Sequence, residues 1–239
     1  TKGADFNKLS LLPQLLQVYQ QVLQKLAAQK IEWVQIDEPI LVLDLPEEWQ
    51  QASLSAYAQL QNTNCKLLLT TYFGSIAHQL NWLSDITVDG IHLDAVSSSQ
   101  EDLAATLQAI PAHWQLSLGV INGRNIWRAD LHAIYAQLSA VKKSHPNFWL
   151  GTSCSLLHSP LDLNAETKLD AEVKSWFAFA RQKCTELHLL QRTLRQPDDQ
   201  KILTLQAYSA PLQQRKLSDR VQNQAVQSAI AAIKPSDAE

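Results

Sequence analysis

The sequence predicts an α/β fold: five parallel strands with covering helices, followed by a helical C-terminal segment. Two observations carry this. Short apolar runs alternate with stretches of helical periodicity, at a spacing of roughly 25 to 35 residues that suits βαβ units. The runs are also apolar throughout, as strands buried on both faces are. After residue 160 the strand-like runs stop and helical spacing takes over.

The first helix is expected over 9–29, where leucines and valines form one stripe with glutamines opposite. The strand WVQID follows at 33–37, and Pro39 in IDEP marks where its pairing ends. Further strands are expected at 66–71, 91–94, 116–121 and 148–152, and further amphipathic helices at 47–61, 75–83, 100–109 and 128–143. Gly90 and Pro146 punctuate returns from helix to strand. Beyond 160, residues 166–194 read as one long helix with Leu169, Val173, Trp176, Phe177, Ala180, Cys184 and Leu187 on its apolar stripe, which makes Cys184 a core residue. The QPDD run breaks that helix, a second is expected over about 199–208, and a terminal helix starts at Ser218 as N-cap and stops at Pro235.

Composition narrows the function classes. With 46% apolar and 18% charged residues in 239, the chain has the balance of a soluble protein with a sizeable core. A net charge of -3 with scattered basic residues gives no reason to expect nucleic acid or an anionic membrane. No long apolar run and no signal-peptide pattern occurs, so the cytoplasm is the expected location. Cys65, Cys154 and Cys184 suit a reducing compartment better than a disulfide framework. The sequence has no methionine, not even a first one, which points to a piece of something longer. Phosphate-loop, dinucleotide and nucleophile-elbow motifs are absent, and the seven tryptophans fall mostly where packing explains them.

Polar residues stand at the carboxyl end of each strand: Asp37 and Glu38, Thr71 and Tyr72, His92 and Asp94, Asn122 and Arg124, Ser153 and Cys154. In a parallel α/β barrel or open sheet that rim carries the site. Each residue also has a structural reading. Asp37 or Glu38 can cap a helix or pair with Arg124, and His92 with Asp94 can form a satisfied polar layer on one face. Arg124 in NGRN sits on a turn, and Cys154 can be a small hydrophobe as well as a nucleophile.

The blocks WVQIDEPILVLDL, LLLTTYFGSI, DGIHLDAV, LSLGVINGRNIWRADL and LGTSCSLLHSPLDLNAETKLDAEVKSWFAFARQKCTEL resemble the cobalamin-independent methionine synthases, over essentially the whole chain. The resemblance implies a zinc enzyme of two (βα)8 barrels that transfers a methyl group from 5-methyltetrahydrofolate triglutamate to homocysteine. Its catalytic barrel would hold the zinc and both substrates. This sequence matches the second part of the N-terminal barrel and the start of the linker. The expected fold is thus an incomplete (βα)8 TIM-type barrel over 1–195 with a helical linker over 196–239, its last five strands present and the catalytic barrel absent.

By the same resemblance, Asp37 stands where the catalytic barrel holds the homocysteine amino group, and Cys154 and Asp94 stand where that barrel has metal ligands. The remaining ligand positions read as threonines and aromatics around Thr70 to Phe73, and Arg124 replaces a proton-donating histidine. Two surviving positions make a poor zinc site. The expectation is no metal and no catalytic residue here, zinc only in the parent enzyme, and Asp37, Asp94, Arg124 and Cys154 as a relic substrate-binding rim. Two other readings stay open. One is a glycosidase-like hydrolase using Asp37 or Glu38 with Asp94, set by their separation. The other is a noncatalytic interaction module that pairs with a missing half-barrel, with the catalytic barrel or with itself, because open sheet edges need cover.

Overall fold

A computed structural model describes residues 6–233. The chain divides into two compact units, Thr1–Arg124 with Val141–Leu156, and Asn125–Ala140 with Leu157–Glu239.

The first unit opens with helix α1 (Leu12–Ala28), with proline in its first turn and Leu16 and Leu23 buried two turns apart. Strand β1 (Trp33–Asp37) follows, and Pro39 then starts a short 3-10 turn. The Glu38 N–H still donates to the Thr70 carbonyl at 2.8 Å, so the proline falls one residue after the last ladder bond and removes no donor that is needed. Helix α2 (Glu47–Leu60) carries Glu47 and Glu48 in its first turn, where acidic side chains favour the helix dipole. Strand β2 (Lys66–Thr70), the short helix α3 (Leu80–Leu83) and strand β3 (Gly90–Asp94) come next. Helix α4 (Gln100–Ala109) has Ser99 as N-cap, accepting from the Asp102 N–H. Strand β4 (Gln115–Ile121) and strand β5 (Trp149–Thr152) complete the sheet; helix α5 (Leu131–Ser144), which comes between them in sequence, belongs for most of its length to the second unit. The strand bounds fall within one residue of those the sequence predicts. Between 75 and 83 only the last turn is α-helical.

All four pairings are parallel, in the order β1-β2-β3-β4-β5. One face of the sheet is apolar and closed, with Leu67, Leu69 and Ile91 at 0% exposure and Leu116 and Leu118 nearly so. The other face carries Trp33, Gln35, Tyr72, His92, Ser117 and Trp149. In a flat sheet the first and fifth strands would lie about 19 Å apart. Trp33 of β1 and Trp149 of β5 nevertheless meet edge to face, with centroids 4.8 Å apart. The sheet is therefore strongly curled, and its strands form an incomplete α/β barrel.

In the second unit the expected single helix over 166–194 is broken. Helix α6 (Ala171–Ser175), capped by Asp170, ends before Trp176, and helix α7 (Ala180–Arg195) starts after Phe179. The intervening residues pair with the segment after Asn125: Arg128 N–H donates to Trp176 O at 2.9 Å, Ala178 N–H to Ile126 O at 2.8 Å, and Trp127 bridges Phe177. The WFAFA run fits a helical stripe, but tertiary pairing captures it as extended chain. The break resets the phase of the buried stripe of α7, which holds Lys183, Glu186, Leu190, Thr193 and Leu194. Cys184 is exposed, which overturns its sequence reading as core.

Helix α8 (Asp199–Leu217) runs nine residues beyond the expected 208, through Pro211. Ser218 closes it instead of opening the next helix: its N–H donates to Arg215 O and its hydroxyl to Glu172. Helix α9 (Gln224–Ala232) is capped by Asn223, whose Oδ1 accepts from the Val226 N–H at 3.1 Å. Pro235 lies outside the described residues. Among the described residues no helix is long and apolar enough to cross a membrane.

The core of this unit holds two charges at 0% exposure. Lys183 Nζ donates to Asn125 Oδ1 and to Trp127 O, each at 3.2 Å. Glu186 Oε1 accepts from the Ala129 N–H and the Tyr208 hydroxyl, each at 2.9 Å, and burial pushes the Glu186 carboxyl up. A Lys-Glu pair three residues apart normally reads as a solvated helix face. Here it ties segment 125–129 to α7 and α8.

Candidate functional site: the carboxyl rim of the sheet

The residues expected at the rim lie where the strands end, within the first unit. Asp37, the last residue of β1, is exposed and accepts from Gln35 Nε2 at 2.7 Å. The same nitrogen donates to the Tyr72 hydroxyl at 2.8 Å. Burial, reinforced by the Asp37 charge, pushes the Tyr72 phenol up to about 12, so it is a neutral hydroxyl at physiological pH. Glu38 accepts from the Tyr57 hydroxyl at 3.0 Å, and burial, more than the nearby Asp37 charge, raises its pKa. Tyr57 is raised as well, by burial and then by Glu38.

His92 lies under this array. Its ring meets Tyr72 edge-on at 5.9 Å, and Nδ1 is 2.9 Å from Ser117 Oγ. Burial lowers its pKa, with the Asp94 charge opposing. The imidazole fits because β4 and β5 have glycines beneath it: a Cβ on Gly119 would come within 2.8 Å of Nε2, and one on Gly151 within 3.0 Å of Cε1. His92 and Asp94 are both buried, but the histidine is paired with Ser117 and the aspartate is bonded to backbone.

Asp94 accepts from three backbone N–H groups, Phe73 at 3.0 Å on one oxygen and Val96 and Ser97 at 2.9 Å each on the other. It thereby ties both the loop after β2 and the loop after β3, and is itself buried at 2% exposure. The hydrolase reading that required this carboxylate finds no support. Cys154 is buried to 1% exposure. Its Sγ faces the Ser155 carbonyl at 3.7 Å, and the Gly123 turn covers it, since a Cβ at Gly123 would stand 2.5 Å from the Cys154 carbonyl and 3.0 Å from its sulfur.

Arg124 is exposed, with its guanidinium 4.7 Å above the Phe73 ring. It forms no ion pair among the described residues, so neither Asp37 nor Glu38 pairs with it. Phe73 is the member that sequence reasoning missed. Its φ of 75° is left-handed, an uncommon and strained conformation for a bulky residue. No pattern in TTYFG announces it, because the Phe73 N–H is held by Asp94, at the end of the next strand and 21 residues on in the chain.

The donor set does not fit a zinc ion. Asp94 is occupied by backbone donors, Cys154 is covered, and among the described residues no three His, Cys, Asp or Glu side chains converge on a common point.

Two comparisons with known proteins bear on this fold. Residues 1–146 match the family model described as "Cobalamin-independent synthase, N-terminal domain". The chain belongs to that family. It is also similar to curated proteins named 5-methyltetrahydropteroyltriglutamate--homocysteine methyltransferase. It is 56% identical over 238 residues to those of Yersinia pestis (strain Pestoides F) and Photorhabdus laumondii, and 55% identical to that of Yersinia enterocolitica. Each alignment covers 100% of this chain and 31% of the relative, so the chain spans about a third of the length of the curated relatives it matches. The five-stranded arc and the family match agree on an α/β barrel domain of a cobalamin-independent synthase, the N-terminal one.

Proposed function

We propose that this chain is the barrel scaffold of an enzyme that moves a methyl group from N5 of a 5-methyltetrahydropteroyltriglutamate to the sulfur of homocysteine, forming methionine, and that it performs no chemistry by itself. The relatives' shared name supports the reaction, and identity along the whole chain makes it transferable. The state of the rim supports the scaffold role. Asp94 is spent on three backbone N–H groups, and a carboxylate so engaged holds loops in place and does not take or give a proton in a reaction.

In this reading zinc and the catalytic residues belong to the part of the enzyme that this chain does not contain. When bound there, the metal supplies a thiolate at neutral pH by lowering the pKa of homocysteine. Residues 1–195 are the partial barrel and 196–239 the linker toward the catalytic barrel. The exposed stripe Leu15, Val18 and Val22 on α1 takes either a complementary half-barrel or a second copy as partner. None of the three cysteines is in a disulfide among the described residues, which fits a cytoplasmic location.

The test is methionine formation from homocysteine and 5-methyltetrahydropteroyltriglutamate, by the complete gene product and by the 239-residue chain. Turnover by the complete product and none by the chain is expected. Turnover by the chain alone, or none by the complete product, overturns the proposal.

A further inference from the structure

The last stretch of the second unit is fastened by charge where the rest of the unit is fastened by packing. Among the described residues no side chain from 210 to 233 is buried, and Leu217, Val221, Val226, Ile230 and Ile233 are 46–81% exposed. The contacts that tie the stretch to other elements are polar. The Arg215 guanidinium lies over the Trp127 ring, 3.7 Å from its centroid. The Ser218 hydroxyl donates to Glu172 Oε1 at 2.7 Å. Arg220 pairs with two carboxylates at once, Nη2 with Asp170 Oδ2 at 3.2 Å and Nε with Glu172 Oε2 at 3.1 Å.

The Ser218 and Arg220 contacts converge on the start of α6. Glu172 gives one oxygen to Ser218 and the other to Arg220, while Asp170 caps α6 through Oδ1, accepting from the Glu172 and Val173 N–H groups, and turns Oδ2 to the arginine. The other half of the contact is the turn between α8 and α9, closed by the Val221 and Gln222 N–H groups donating to Ser218 O at 2.9 Å each. Its seating on α6 sets the course of the chain that follows. The three side chains of the ion pairs are each about half exposed, and pairs of that kind are weak and screened by salt. The N-cap of α9, Asn223, acts within its own helix, so the contact can open without unfolding α9.

We infer that Arg220, bridging Asp170 and Glu172 with Ser218 beside it, is the catch of an electrostatic clasp that fixes the direction in which α9 leaves the second unit and releases it when the charge pairing is weakened. The inference goes beyond the proposed function and does not depend on it, since it concerns contacts within this unit.

Trypsin reads the clasp, because cleavage after Arg220 needs a guanidinium free to enter the protease pocket, and such cleavage follows the population of the open form. The test is the rate of cleavage after Arg220 in the 239-residue chain at 10 mM and at 1 M NaCl, divided at each salt by the rate for the free peptide LSDRVQNQ (217–224), which carries trypsin's own salt response. Over that range the Debye length falls from about 30 Å to about 3 Å. The chain should be cut at least roughly tenfold more slowly than the peptide at 10 mM, and the gap should narrow about threefold or more at 1 M. Glu172→Gln keeps an oxygen for Ser218 but removes the charge; it should raise cleavage at 10 mM about threefold and abolish most of the salt response. Arg220→Lys is still a trypsin site but cannot bridge two carboxylates, and should act in the same direction. Opening should also lower the heteronuclear ¹H–¹⁵N NOE of the α9 amides in Glu172→Gln at 10 mM and leave those of α7 unchanged. Both residues are half exposed, so circular dichroism should match the wild type; if one variant fails to fold, the other decides. Cleavage of the wild-type chain as fast as the peptide at 10 mM, a ratio unmoved by salt or by either folded variant, or α9 amides as ordered in Glu172→Gln as in the wild type overturns the inference.

Discussion

Gly119 and Gly151 both make room for His92, yet replacing them should have different consequences. A Cβ at Gly151 meets His92 Cε1 at 3.0 Å and Nδ1 at 3.6 Å, with Leu118 O at an ordinary 3.9 Å. Only a side chain has to yield, by a few tenths of an ångström, so Gly151→Ala should destabilise by about 1 kcal/mol, the low end of overpacking. A Cβ at Gly119 meets Ser153 Cα at 2.7 Å and Thr152 O at 2.8 Å as well as His92 Nε2 at 2.8 Å. Two of those three atoms are backbone of β5 and of the residue after it, so β4 and β5 must separate. The loss should be about 3 kcal/mol, the upper end of the same range. His92→Ala separates the cases in a double-mutant cycle. It should abolish the added cost of Gly151→Ala and leave most of the cost of Gly119→Ala. Urea unfolding followed by circular dichroism gives all six stabilities. Equal rescue of the two glycine variants by His92→Ala would refute the reasoning, because it would mean that the strand backbones are not in contact where the geometry places them.

Other outcomes follow from the same contacts. Burial lowers the His92 pKa below the ordinary 6.5, so the fold favours the neutral ring. Its contribution is fully present above pH 6.5 and is lost as pH falls toward the folded value, at up to about 1.4 kcal/mol per pH unit. His92→Gln should remove that slope from stability measured between pH 7 and pH 5, and an unchanged slope would assign it to another group. Asp94→Asn should destabilise by about 1–3 kcal/mol, since an amide N–H₂ would face backbone donors that need an acceptor; a neutral effect in thermal unfolding would contradict the three hydrogen bonds. Pro211→Ala should stabilise α8 by up to ~3 kcal/mol, because a proline inside a helix lacks its N–H, and a lower unfolding midpoint would show that the proline is used in packing.

The strands were legible because their signal is local: five apolar runs, each ended by polar residues, could be placed to within a residue. Rim membership followed from the same pattern, since a strand's last residues are at the rim wherever its helices lie. What each rim residue does was not legible. Whether Asp94 faces a substrate or caps two loops depends on where the Phe73, Val96 and Ser97 N–H groups arrive, which only the assembled sheet decides. The same limit produced the misread helix. Trp176, Phe177 and Ala180 continue an apolar stripe that would suit a helix in isolation, but pairing with the segment after Asn125 offers that backbone an alternative. Once the helix is interrupted, the stripe predicted from its phase is displaced, so Cys184 moves outward while Lys183 and Glu186 move in. Ser218 was misplaced for a related reason: serine suits either end of a helix, and the length of α8 decided which.

The proposal at the centre is that this rim lacks the donors to hold a metal ion. Isothermal titration of zinc into the 239-residue chain tests it most directly. Heats no larger than those of dilution, unchanged by Cys154→Ser, are expected. One zinc bound per chain with micromolar or tighter affinity, lost in Cys154→Ser, would contradict it.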